Sequence, residues 1–109
     1  MKDERALLEH IRDAILRIEE YVRTGEQAFL TDTMIQDAVI RNFEVIGEAT
    51  KGLTDTIRNR HPEIPWKQIA GMRDFLIHVY FGVKLETVWK TIETDLPPLK
   101  KAVESELAR

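Results

Sequence analysis

Apolar residues at positions 7, 11, 14, 15, 18 and 22 recur at steps of three and four, the spacing of a helix with one buried stripe. Leu7, Ile11, Ala14, Ile15, Ile18 and Val22 form that stripe, and Thr24-Gly25 is expected to close the helix because glycine readily takes a left-handed turn. A loop is predicted from there to about Thr33, where Thr33 and Gln36 have the spacing of a capping box. The second helix then buries Ile35, Val39, Phe43, Ile46 and Leu53. Gly47 in its middle costs about 1 kcal/mol relative to alanine, which points to close approach of another backbone. IRNRHPEIPWK breaks the pattern with Pro62 and Pro65. Pro65 suits the first turn of a third helix, whose apolar face is marked by Trp66, Ile69, Met72, Leu76 and Val79 or Tyr80, with Gly82 as its stop. Helical spacing resumes through Leu85, Val88, Trp89, Ile92, Leu96, Leu99 and Val103, with a kink or short break expected at Pro97 and Pro98. No stretch alternates with the period of two that marks a half-buried strand, and there is no internal repeat. The pattern predicts one all-α domain over residues 1–109, an up-and-down four-helix bundle with a fifth short helix if the prolines split the last.

Composition narrows the functional classes. A chain of 109 residues holds one hydrophobic core and no separate cofactor domain. Its formal charge of -3 argues against coating nucleic acid by bulk electrostatics but leaves room for a local basic patch. With no cysteine there are no disulfides, thiolate metal sites or thiol nucleophiles, which fits a reducing compartment. MKDERALLEH lacks the apolar core of a signal peptide, and no apolar run approaches the roughly 20 residues of a membrane span. A cytoplasmic protein is expected.

The most basic window is residues 58–67, which holds Arg58, Arg60, His61 and Lys67. Arg58, Arg60 and Lys67 are candidate phosphate contacts, and a solvated loop is the equally open alternative. His10 and His61 have no partners at useful spacing and are expected to be exposed. Glu44 and Glu48 lie one turn apart, but a carboxylate pair without a nearby histidine is weak evidence for a metal. No metal and no cofactor are expected.

RDFLIHVY, residues 73–80, sets polar groups into the third helix's apolar run. At about 100° per residue, Arg73, Ile77 and Tyr80 fall nearly in line, while Asp74 and His78 sit four apart and face one another. One stripe offers a fixed cation and a phenol; the other offers an imidazole with a carboxylate placed to hold one ring N–H. Such i,i+4 pairs are abundant on helices, so spacing alone favours a modest surface contact over catalysis.

The run IAGMRDFLIHVYFGV, with Arg73, four residues, His78, one residue and Tyr80, resembles the signature of the HepT branch of HEPN-domain proteins, small helical ribonuclease toxins of prokaryotic toxin–antitoxin systems. DAVIRNFEVIGEATKGL, the W-K-I-A approach to the motif and VWKTIETDLPPLK match in the same order, so the resemblance covers almost the whole chain. It implies that Arg73 and His78 are the ribonuclease pair and that Asp74 supports them where asparagine is frequent in the family. Aspartate there can orient His78, but its charge also opposes phosphate. Tyr80 matches the tyrosine that a partner nucleotidyltransferase antitoxin modifies with AMP to silence the toxin. The implied protein is the toxin of a type VII-like system, a homodimer that cuts RNA, tRNA or mRNA among the candidates, to a 2′,3′-cyclic phosphate without metal. The competing reading is a non-catalytic helical module that docks a nucleotidyltransferase.

Overall fold

The computed structural model describes residues 3–72 and 84–109. Seven helices occur among the described residues: α1 Glu4–Tyr21, α2 Glu26–Thr31, α3 Thr33–Lys51, α4 Asp55–Arg60, α5 Trp66–Ala70, α6 Leu85–Thr94 and α7 Leu96–Leu107. The fold is an all-α, HEPN-like bundle. Its centre is the packing of α1 on α3, with α7 against α1, α5 against α3, and α2 lying between α3 and α6.

The longer helices α1, α3, α6 and α7 form where apolar periodicity places them, and most of the same residues make the core. Ile11, Ala14, Ile15 and Ile18 of α1 are fully buried, as are Val39 and Ile46 of α3; Val88, Ile92, Leu99 and Val103 extend the core from the last two helices. Removing each of the isoleucine, leucine and valine side chains from water contributes about 1.5–3 kcal/mol to folding before entropy is counted. Among the described residues no helix is long and apolar enough to cross a membrane.

Local chemistry moves several boundaries. Helix α1 ends at Val22, and Gly25 at φ +103° serves instead as the N-cap of α2, a helix within the expected loop that brings the fully buried Phe29 to 5.7 Å from the Trp89 ring. The cap of α3 is Asp32 rather than Thr33: its carboxylate accepts from the Met34 and Ile35 N–H groups at 2.9 and 3.4 Å. Gln36 does not reach back to the cap but donates to the Phe29 carbonyl at 2.9 Å, tying α3 to α2. Residues 57–60, the start of the stretch expected to break the pattern, belong to α4. Pro65 is the N-cap of α5, one position before the first turn. The last helical segment does split, at Asp95, and the two prolines fall in the first turn of α7, where their missing N–H groups break no helical bond.

Candidate functional site

Arg73, Asp74, His78 and Tyr80 lie outside the described residues; the structure describes what leads into and away from them. Met72, the residue before Arg73, is buried. The backbone just ahead of it is set by α3: a Cβ on Gly47 would stand 3.2 Å from the Ile69 carbonyl oxygen and 3.6 Å from both the Ala70 carbonyl oxygen and the Met72 Cβ. This is the close approach that a glycine in mid-helix implied. Trp66 fixes the other end of α5, its buried indole donating to the carbonyls of Arg58 at 3.1 Å and His61 at 2.9 Å.

The basic window is turned largely toward the protein itself. Arg58 Nη2 donates to the Thr50 carbonyl at 2.9 Å, which also accepts from the Leu53 N–H at 3.1 Å, and to the Lys51 carbonyl at 3.4 Å, adding a side-chain donor at the end of α3. Arg60 forks onto Glu106 of α7, Nε to Oε2 at 3.0 Å and Nη2 to Oε1 at 2.6 Å, while His61 Nε2 lies 2.7 Å from Oε2. The Glu106 side chain is only 4% exposed. The Arg60 hydrogen bonds hold its carboxyl down to about 2 against the opposing effect of burial, with His61 adding to the lowering; Glu106 in turn raises the Arg60 guanidinium. His61 is therefore not the exposed histidine expected, because a buried carboxylate 45 residues away in sequence holds its ring. Lys67 is exposed.

Cavities open at several places among the described residues, one of them beside His61 and the Pro97-Pro98 turn. One of about 520 Å³ between α1 and α3 is lined by His10, Arg41, Glu44 and Glu48. It places a histidine beside the glutamate pair that spacing left without one. Arg41 Nη1 stands 3.8 Å from Glu44 Oε2, and Lys51 Nζ 3.5 Å from Glu48 Oε1, so both carboxylates face cations. No group of three His, Cys, Asp or Glu with metal-holding geometry occurs among the described residues. His10 is exposed, as expected.

Another cavity, about 370 Å³ between α5 and α6, is lined by Gln68, Gly71, Met72, Thr91 and Asp95. It adjoins the chain immediately ahead of Arg73. Sequence reasoning passed over Asp95, although the run DLPP carried a signal: an aspartate at a helix start normally accepts from the N–H of the second or third helical residue, and here those are prolines.

Comparison with known proteins bears on the chemistry. Residues 11–106 match the family described as "Ribonuclease HepT-like". The chain is 50% identical over 94 residues to a Thermococcus cleftensis protein named "Probable ribonuclease HepT", covering 85% of this chain and 86% of that one. It is 42% identical over 110 residues to the Caldanaerobacter subterraneus protein named "Putative RNase TTE0752", covering 100% and 98% of the two chains. A longer Methanocaldococcus jannaschii protein, named "Gamma-glutamylcyclotransferase and putative RNase MJ0434", is 46% identical over 103 residues; the match spans 94% of this chain and 46% of that protein. No solved structure matches.

Proposed function

Since this chain belongs to the HepT-like ribonuclease family, we propose that it is an RNA-cleaving enzyme whose chemistry is carried by Arg73 and His78. The observation that carries the reading is the family match over residues 11–106, a span that includes RDFLIHVY entire. An imidazole that titrates near neutrality takes the proton from the ribose 2′-OH. The 2′-oxygen then bonds to phosphorus, the bond from phosphorus to the 5′-oxygen breaks, and the guanidinium stabilises the charge on the phosphorane. The leaving 5′-oxygen needs a proton donor. A homodimer supplies it as the second His78 and leaves a 2′,3′-cyclic phosphate and a 5′-hydroxyl, with no metal in any step.

The test is digestion of cellular RNA in EDTA. The wild-type chain is expected to cut RNA and to leave DNA intact, because the nucleophile is the 2′-OH. His78→Ala is expected to lose the activity by at least about a hundredfold. Cleavage that requires added Mg²⁺, or that persists in His78→Ala, sinks the mechanism.

Regulation follows from Tyr80. In this reading the chain is the toxin of a type VII-like toxin–antitoxin pair in the cytoplasm, and a nucleotidyltransferase antitoxin silences it. The Tyr80 phenol gives its proton to a base of the transferase, its oxygen bonds to the α-phosphorus of ATP and pyrophosphate leaves, so that the residue two positions past His78 carries a phosphate. Tyr80→Phe is expected to remain toxic and to take up no label from radioactive ATP in the presence of the transferase. Equal labelling of the Phe variant assigns the modification elsewhere.

A further inference from the structure

The cavity between α5 and α6 has an apolar side, Met72, and three polar side chains, Gln68, Thr91 and Asp95. Its volume of about 370 Å³ lies within the usual range for small-ligand sites, which begins near 300 Å³. Thr91 is engaged locally, its hydroxyl donating to the Thr87 carbonyl at 3.0 Å. Asp95 is the unusual member. It occupies the N-cap position of α7, yet makes no side-chain cap bond, because the second and third residues of that helix are Pro97 and Pro98 and have no N–H to give. A side-chain bond it does make is Oδ1 accepting from the Thr94 hydroxyl at 3.3 Å. The two prolines thus leave a carboxylate at the cavity wall without the task that normally fixes such a residue at a helix start.

What this arrangement takes is decided by donor pattern. A carboxylate offers two adjacent acceptors and no donor. Among the RNA bases, guanine presents two adjacent donors on its pairing edge, N1–H and the 2-amino group. Adenine and cytosine place a ring acceptor beside their one amino group, and uracil flanks its single N–H with two carbonyls. Each of those sets a lone pair against a carboxylate. The neighbouring Gln68 amide has a donor for guanine O6, and Met72 supplies apolar surface. Resting on the ribonuclease reading, we propose that this cavity is a guanine-selective subsite, with Asp95 accepting from N1–H and the 2-amino group, which seats one base of the RNA next to the motif that begins at Arg73.

The experiment has two arms. In the first, cleavage sites of the wild-type chain are mapped on an RNA of mixed sequence. Guanine is expected at one fixed offset from the cut. Replacing that guanine by inosine, which lacks the 2-amino group, is expected to raise KM by at least about fivefold with little change in kcat, and Asp95→Asn is expected to erase the difference between the two substrates. In the second, binding of an uncleavable 2′-O-methyl oligonucleotide is measured with guanine or inosine at that offset, or at each position in turn where no cut is seen. The wild-type chain is expected to favour guanine by a similar factor and Asp95→Asn to lose that preference, while circular dichroism shows both folded.

Guanine preference that survives Asp95→Asn overturns the proposal, as does its absence from the wild-type binding data. A variant that is merely less stable, with its base preference intact, returns Asp95 to a structural role near the N-terminus of α7. If no RNA is cut at all, the ribonuclease reading fails on its own, and the binding arm still decides whether the cavity selects guanine.

Discussion

Glu106 is the carboxylate whose protonation the fold resists most clearly. Two charge-assisted bonds from Arg60 and one contact with His61 hold its carboxyl to about 2, below its ordinary 4.5. A carboxyl depressed in the folded state stabilises the protein above the pH at which the unfolded chain releases its proton, and that contribution is lost as pH falls through the folded value. Its share of stability should therefore be complete above about pH 4.5 and decline toward pH 2. Glu106→Gln keeps the shape but removes the charge, and is expected to cost about 1–3 kcal/mol at pH 7, the lower part of that range being favoured because Arg60 retains partial contact with water. Urea denaturation of both proteins at pH 7 and pH 3 checks this. The gap between them should narrow at the lower pH, and a constant gap would assign the loss to packing.

At the scale of elements, Gly47 governs how closely α3 and α5 approach. Adding a methyl group gains about 1 kcal/mol of helix propensity but pushes the Ile69 carbonyl by a few tenths of an ångström from a 3.2 Å contact. These effects nearly cancel, so Gly47→Ala is expected to change stability by less than about 1 kcal/mol, whereas Gly47→Val, with branched bulk against backbone, should lose about 1–3 kcal/mol. Because α5 leads into Arg73, the alanine variant is also expected to cut RNA more slowly than its stability explains; unchanged cleavage would show that the motif is insulated from α5. This contact was legible in the sequence because a glycine inside an amphipathic helix has few other reasons to be there. The long stripes of α1, α3, α6 and α7 were legible for a similar reason, each repeating through several turns. Helices α2 and α4, of six residues each, were not: they complete fewer than two turns and show no period. The capping residue shifted from Thr33 to Asp32 because both are good caps and only the backbone chooses between adjacent candidates. Within the candidate site, RDFLIHVY stood out as local chemistry. The union of Arg60 and His61 with Glu106 could not, since 45 or 46 residues separate the partners and only the docking of α7 brings them together.

For the whole molecule, a formal charge of -3 means that the average field repels a polyanion, so RNA binding must rest on local cations. The fold has already drawn on the most basic window. The Arg58 guanidinium caps α3 through two carbonyls, and the charge of Arg60, itself exposed, is matched by Glu106, which leaves Lys67 as the exposed candidate contact that neither of these arrangements engages. These assignments separate cleanly by experiment. If Lys67 meets a phosphate, Lys67→Ala should weaken binding of uncleavable RNA and make the slope of log affinity against log salt shallower by about 0.7, the counterion release of one single-strand contact. Arg60→Ala should lower the denaturation midpoint and leave that slope unchanged, because removing a cation already paired inside the protein releases no ions from RNA. The opposite pattern, a changed slope for Arg60→Ala with none for Lys67→Ala, would mean that Glu106 gives up its partner when RNA binds, and that the knot holding α7 to the end of α4 is opened by the substrate.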